Sequence, residues 1–189
     1  MRKLWILGVI GALALLPFAA LADTGDATTA TLTLTGIIYI HITDEWEDLE
    51  ITQNLIEGMT GDYFDWGDLS VNVKAMTNYR VWGSYYAKEG GNDVDPAFGA
   101  PAHLIALVHT TDGTFWLPDN DLSAVASTAG FDYSGPYTDM VALFTGSNNM
   151  PAGDDKEYDV QLDPSNLGDR EAPETIDFTI VLVVEDTST

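Results

Sequence analysis

Residues 69–87 read LSVNVKAMTNYRVWGSYYA. Leu69, Val71 and Val73 alternate with Ser70, Asn72 and Lys74. That period of two puts one set of side chains on each face of a half-buried strand. After the polar pair Thr77-Asn78 the alternation resumes, with Tyr79, Val81 and Gly83 on one face and Arg80, Trp82 and Ser84 on the other. Two such runs joined by a short polar turn predict a β-hairpin, with Trp82 contributing to the core. The same period recurs along the chain. HLIALVHT (103–110), a TDG turn and TFWL (114–117) read as a second hairpin. MVALFTG (140–146), KEYDVQL (156–162) and TIDFTIVLVV (175–184) read as single strands. KEGGNDVDPAFGAP (88–101) is a loop by composition, and PDNDLSAVASTAGFDYSGPYT (118–138) is irregular with one short helical turn. Helix-period spacing is scarce; only Trp46, Leu49 and Ile56 allow a short helix. About eight strands with no long helix between them argue against a parallel α/β sheet. They predict a single all-β domain, an antiparallel β-sandwich of immunoglobulin-like or jelly-roll type.

Upstream lies a second long β-rich stretch, ATTATLTLTGIIYIHIT (27–43), which carries no Lys, Arg, Asp or Glu. Thr31-Leu32-Thr33-Leu34-Thr35 alternates, whereas Ile37 to Ile40 is continuously apolar; Gly36 between them marks a bulge or a passage between sheets. Fully extended, the stretch would span roughly 55 Å at about 3.3 Å per residue, too long for one strand of a small sandwich. Two readings follow. Either the chain bends at Gly36 and both halves belong to its own sheets, or residues 31–35 leave the domain and complete the sheet of a neighbour. The stretch follows a segment with the layout of a secretory leader: Arg2 and Lys3, an apolar run from Leu4 to Leu15, and Ala20-Leu21-Ala22 as a small-x-small cleavage site. The apolar run is shorter than the roughly 20 residues of a spanning helix, and no later segment suits a membrane span. Residues 1–22 are therefore read as a signal peptide and 23–189 as the β-sandwich domain. This places the protein outside the cell or at the cell surface, the periplasm included.

The chain has no cysteine, so packing, bound ions or assembly must do the work of disulfides. Thirty acidic residues face seven basic ones, and Arg2 and Lys3 fall within the leader, so cleavage leaves five basic against thirty acidic residues. Such a surface repels nucleic acid and anionic membranes and suits cations, a saline medium or a basic partner.

Catalytic and metal chemistry is hard to find. His103 and His109 lie six residues apart on one strand, roughly 20 Å at about 3.3 Å per residue, too far to share a metal, and His41 sits in the β-branched run. G-x-S-x-G, G-x-G-x-x-G and P-loop patterns are absent. With so many carboxylates, pairs at glycosidase spacing arise by chance. The chain is read as a non-enzyme with no cofactor beyond calcium. Two loops have the Asp/Asn composition of a calcium site, one with Asp93 and Asp95 and one with Asp119 and Asp121, although the same residues also simply make turns. AGDDKEYD offers Asp154, Asp155 and Glu157 as a third.

LSVNVKAMTNYRVWGSYYA resembles the strand-turn-strand of secreted bacterial β-sandwiches in which a V-x-V strand precedes a polar T-N-Y turn. AGDDKEYDVQLDPSNLGDREAPETIDFTIVLVV (152–184) is similar to the C-terminal part of spore-coat-U-like, WxL-type and pilin-like domains. The resemblance implies a surface or extracellular structural role with strand donation between subunits. The leading expectation is therefore an extracellular assembly subunit of a coat, fibre or matrix. Its partners are further copies of itself or other cell-surface proteins, and its assembly strand is Thr31–Thr35. The alternative is a monomeric carbohydrate- or calcium-binding module.

Overall fold

The computed structural model describes residues 38–44, 50, 52, 57, 61–93, 104–126, 133, 135–166 and 175–188. The chain divides into two units, 1–36 and 37–189, and every described residue belongs to the second. The elements are β1 (Ile38–Asp44), β2 (Phe64–Ala75), β3 (Tyr79–Glu89), β4 (Asn92–Asp93), β5 (Ile105–His109), β6 (Gly113–Leu117), α1 (Ser123–Ala126), β7 (Val141–Gly146), β8 (Asp154–Leu162) and β9 (Ile176–Asp186), with one 3₁₀ turn at Pro164–Asn166. Nine strand segments against one four-residue helix make the described fold all-β, as the periodicity predicts.

The strands form two antiparallel sheets. The first has the order β1-β2-β8-β5-β6. In the second, β3 is central and pairs along its whole length with β9; its other edge is shared by β7 and β4. The gap between those two is filled by the chain leaving β6. Tyr85 N–H donates to Pro118 O (3.1 Å) and Asn120 N–H donates to Tyr85 O (2.8 Å), a parallel bridge at Asp119. Leu117 thus ends one sheet and Pro118 begins the other, which satisfies a central backbone that would otherwise be buried unpaired.

The main core lies between the sheets. Leu69, Val71, Val73 and Ala75 of β2 meet Tyr79, Val81, Tyr85 and Ala87 of β3, with Ile105, Leu107, Leu117, Leu143, Tyr158, Val160, Leu162 and Leu182 from the other strands. Each large side chain so buried stabilises by about 1.5–3 kcal/mol. Phe64 faces the same core from an even-numbered position, so the alternation must change parity before Leu69. It does so at Gly67, where the register with β8 slips by one residue and φ is +119°. A one-residue bulge turns every later side chain to the other face, and glycine takes the required φ without strain.

Residues 69–87 behave differently from the predicted hairpin. β2 pairs with β1 and β8, whereas β3 pairs with β9, β7 and β4, so the turn at 76–78 carries the chain from one sheet to the other. Ala75 and Tyr79 are both buried toward the shared core, and the two strands face each other across it instead of lying edge to edge. Trp82 accordingly points away from the main core. It joins a smaller cluster on the outer face of the second sheet with Leu122, Met140, Val181 and Val183, against which Ala126, Tyr133 and Tyr137 also pack. The 88–101 loop also starts with more order than composition suggests: Gly90 (φ +58°) and Gly91 (φ +84°) turn β3 directly into β4. The β5–β6 hairpin forms as read, from Ile105↔Leu117 to His109↔Gly113. The helix expected near Trp46, Leu49 and Ile56 and the bend expected at Gly36 lie outside the described residues.

The same local turn recurs at three of the chain's Asp-x-Ser tripeptides. Asp121, Asp163 and Asp186 each accept the backbone N–H and the hydroxyl of the serine two residues on, the hydroxyls at 2.6, 2.5 and 2.5 Å. Asp121 thereby opens α1 and Asp163 the 3₁₀ turn. Among the described residues no helix is long and apolar enough to cross a membrane.

Candidate functional site

The uncharged stretch enters the fold at one end of the two sheets, here called the entry pole. Ile38 of β1 lies opposite Ala75, the last residue of β2. Tyr79 begins β3 opposite both Gly146, the end of β7, and Asp186, the end of β9. β8 starts there as well, with Asp154 opposite Val73. β1 is an edge strand of its sheet. Ile38, Ile40 and Ile42 pack against the main core, whereas Tyr39, His41 and Thr43 are exposed. The apolar half of residues 27–43 therefore belongs to the chain's own core, as the bending reading requires of that half. Thr31, Leu32, Thr33, Leu34 and Thr35 lie outside the described residues.

One asparagine ties the entry pole together. Asn149, in the loop between β7 and β8, accepts the Ala75 N–H at its Oδ1 (2.8 Å). Its Nδ2 donates to Val73 O (2.8 Å) and to the Tyr79 hydroxyl (3.3 Å). Its own N–H donates to Ala75 O at 3.1 Å. The Tyr79 hydroxyl in turn donates to Asp154 Oδ2 at 2.9 Å. The loop between β7 and β8 thus clips both sheets to each other.

The residues singled out for calcium have structural partners. Asp119 and Asp93 lie along the same edge of β3, opposite Tyr85 and Lys88 respectively, while Asp95 lies outside the described residues. Asp121 is held below the usual carboxylate range chiefly by the Ser123 hydroxyl, with Lys88 a minor contributor. Asp119 is pushed up, by burial first and then by Asp121. Asp155 accepts an N–H from Asn72 at 2.6 Å, and Asp154 sits 3.6 Å from the Lys156 ammonium. Among the described residues no three His, Asp or Glu side chains converge as a metal would need.

Ionised Asp119 is disfavoured by its surroundings, so the native state binds a proton more readily than the unfolded chain does. Stability from this residue therefore falls as pH rises through its folded pKa. Asp119→Asn is expected to raise Tm at pH 7. The gain over wild type should vanish toward acid, as Asp119 itself takes up the proton; thermal melts across pH 3–7 check it.

The aromatic residues are engaged with one another. Trp82 stacks on Tyr137 with ring centroids 5.1 Å apart at 15°, has the Arg80 guanidinium 5.4 Å from its ring centroid, and donates its indole N–H to Glu185 (2.9 Å). A ring so occupied is poorly placed to stack on a sugar. Tyr79, Tyr85 and Tyr158 are fully buried, and burial pushes each hydroxyl well above the ordinary tyrosine range. Asp154 adds to the effect at Tyr79, Asp119 at Tyr85, and Asp112 and Asp154 at Tyr158. They stay neutral at physiological pH and serve packing and, at Tyr79, a hydrogen bond. His41 is exposed on β1; His109 closes β5 and accepts the Thr111 and Asp112 backbone N–H groups at its Nδ1 (3.2 and 3.1 Å); His103 lies outside the described residues.

What this arrangement offers is surface. It has an edge strand with uncharged chain leading into it, a braced entry pole, and acidic faces elsewhere. No family model, curated protein or solved structure matches the chain.

Proposed function

We propose that this chain is a secreted, acidic β-sandwich subunit of immunoglobulin-like or jelly-roll type. It assembles into an extracellular coat, fibre or matrix by donating Thr31–Thr35 to a neighbouring subunit. One observation supports the reading: the described end of the uncharged stretch runs into β1, an edge strand that starts at the entry pole. The segment just upstream has the alternation of a strand with one apolar and one wet face, and an uncharged strand left unpaired is an aggregation hazard. Main-chain pairing with a second copy removes that hazard and joins subunits.

Deletion of residues 23–35 tests the reading. The mature chain should form large assemblies visible by electron microscopy and light scattering. The truncated chain should keep its melting transition, remain monomeric, and bind a synthetic peptide of residues 27–36. A mature chain that is monomeric at high concentration, or a truncation that unfolds it, would return the strand to its own core and refute donation.

A further inference from the structure

The entry pole differs from the rest of the surface in a way that strand donation alone does not require. Four large apolar side chains are strongly exposed among the described residues: Tyr39 (54%), Met150 (49%), Met76 (46%) and Tyr63 (43%). Three of the four belong to this one pole. Tyr39 lies opposite Lys74 at the start of β1. Met76 and Met150 each directly follow one member of the doubly bonded Ala75–Asn149 pair. The two loops that carry the methionines, AMTNY (75–79) and GSNNMPAG (146–153), contain no charged residue in a chain with thirty acidic ones. The strand ends around these loops carry both signs of charge, Asp154, Asp155, Glu185 and Asp186 with Lys74, Arg80 and Lys156. The opposite pole carries Asp62, Glu89, Asp93, Asp163 and Asp177 with Lys88.

We infer that this methionine-bearing pole, where acidic and basic side chains nearly balance, is a contact face for a second copy of the chain, the two copies meeting pole to pole about a two-fold axis. On so acidic a protein, two copies approach at least electrostatic cost where acidic and basic side chains nearly balance. Methionine adapts its shape to an apolar partner. The Asn149 clip holds both loops in place beforehand, so little ordering is needed on contact. A head-to-tail contact would instead press the methionines against the carboxylates of the far pole, which would have to be stripped of water. The inference rests on the reading of the chain as self-assembling and adds where the copies touch. Ile38 starts β1 at this pole. Thr31 is seven residues before Ile38, within roughly 23 Å at about 3.3 Å per residue, so each copy's segment can reach the other copy.

The absence of natural cysteine gives a clean test in the full mature chain. An isologous contact brings identical residues together across the axis. Met150→Cys and Met76→Cys should therefore each give a covalent dimer with a short bis-maleimide, whereas Asp62→Cys at the far pole should not. Met76→Asp combined with Met150→Asp should weaken self-association at least about tenfold in sedimentation while leaving the circular dichroism melt unchanged. No dimer from either methionine position overturns the inference, as does cross-linking of Met150→Cys copies to Asp62→Cys copies when the two are mixed. The strand reading fails separately. If deletion of residues 23–35 leaves the Met150→Cys dimer intact, the pole contact stands and donation falls. If that deletion abolishes assembly but the double aspartate variant assembles as wild type does, donation stands and the pole contact falls.

Discussion

Gly146→Ala is expected to cost about 3–5 kcal/mol, the largest effect of any substitution this conservative in the fold. Gly146 ends β7 directly opposite Tyr79. A Cβ built there would lie 2.6 Å from Tyr79 Cε1 and closer still to Cζ and the hydroxyl. The ring has nowhere to go. Tyr79 is 1% exposed, its hydroxyl is bound by Asp154 and Asn149, and it packs edge-on against Phe144. Overpacking of a core costs about 1–3 kcal/mol, and displacing the hydroxyl from its partners adds about 1–3 kcal/mol. In a domain of this size each kcal/mol lowers Tm by about 2–4 °C, so a drop of roughly 10–15 °C should appear in a thermal melt. The mechanism makes a sharper claim. In a Tyr79→Val background the same Gly146→Ala change should cost less than about 1 kcal/mol, because the obstructing ring is gone. Equal costs in both backgrounds would locate the strain elsewhere.

Asn149→Ala is expected to cost about 2–4 kcal/mol, although the residue sits in a surface loop. Truncation leaves the Ala75 N–H and the Val73 carbonyl without their side-chain partner, on residues that are themselves fully buried, and removes one of two partners of the Tyr79 hydroxyl. Each buried polar group left unsatisfied costs about 1–3 kcal/mol, moderated here where water can enter behind the loop. Hydrogen exchange should localise the damage. The Ala75 amide, held by Asn149 Oδ1, should exchange faster, whereas the amides of the β5–β6 hairpin should not change until the protein unfolds globally. Uniform loss of protection would mean that the clip does not act locally. The variant also bears on assembly, since the same bonds hold Met76 and Met150 in position.

How much of this could be read from the chain depends on whether a feature is local. Alternation assigns side chains to faces, because the two-residue period follows from backbone geometry alone. Leu69, Val71 and Val73 are buried as the pattern requires, and the β5–β6 hairpin closes around its TDG turn. Strand positions for MVALFTG, KEYDVQL and TIDFTIVLVV follow from the same rule. So does the entry of the apolar half of residues 27–43 as a strand. The absence of charge from AMTNY and GSNNMPAG was equally open to reading.

Pairing is another matter. A three-residue turn after Ala75 serves a hairpin or a passage between sheets equally well. The choice falls to the core, which wants both Ala75 and Tyr79 facing inward. Trp82 goes to the outer face because its neighbours Val181 and Val183 are delivered there by β9, about a hundred residues later, and joined by Leu122 and Met140. Nothing near Asp119 in the chain shows that it will bridge to Tyr85, or that Asp121 will be occupied in capping α1, so loop composition alone could not separate a calcium ligand from a turn former. Asn149 shows the same limit most plainly. Beside Asn148 and Gly153 it looks like any loop residue. It becomes a clip because β7 ends in one sheet and β8 begins in the other, and the loop between them is carried across the ends of β2 and β3. Local sequence decides which face a side chain takes. The free energy of burying a shared core decides which strands meet, and with that which polar groups are left for a distant side chain to satisfy.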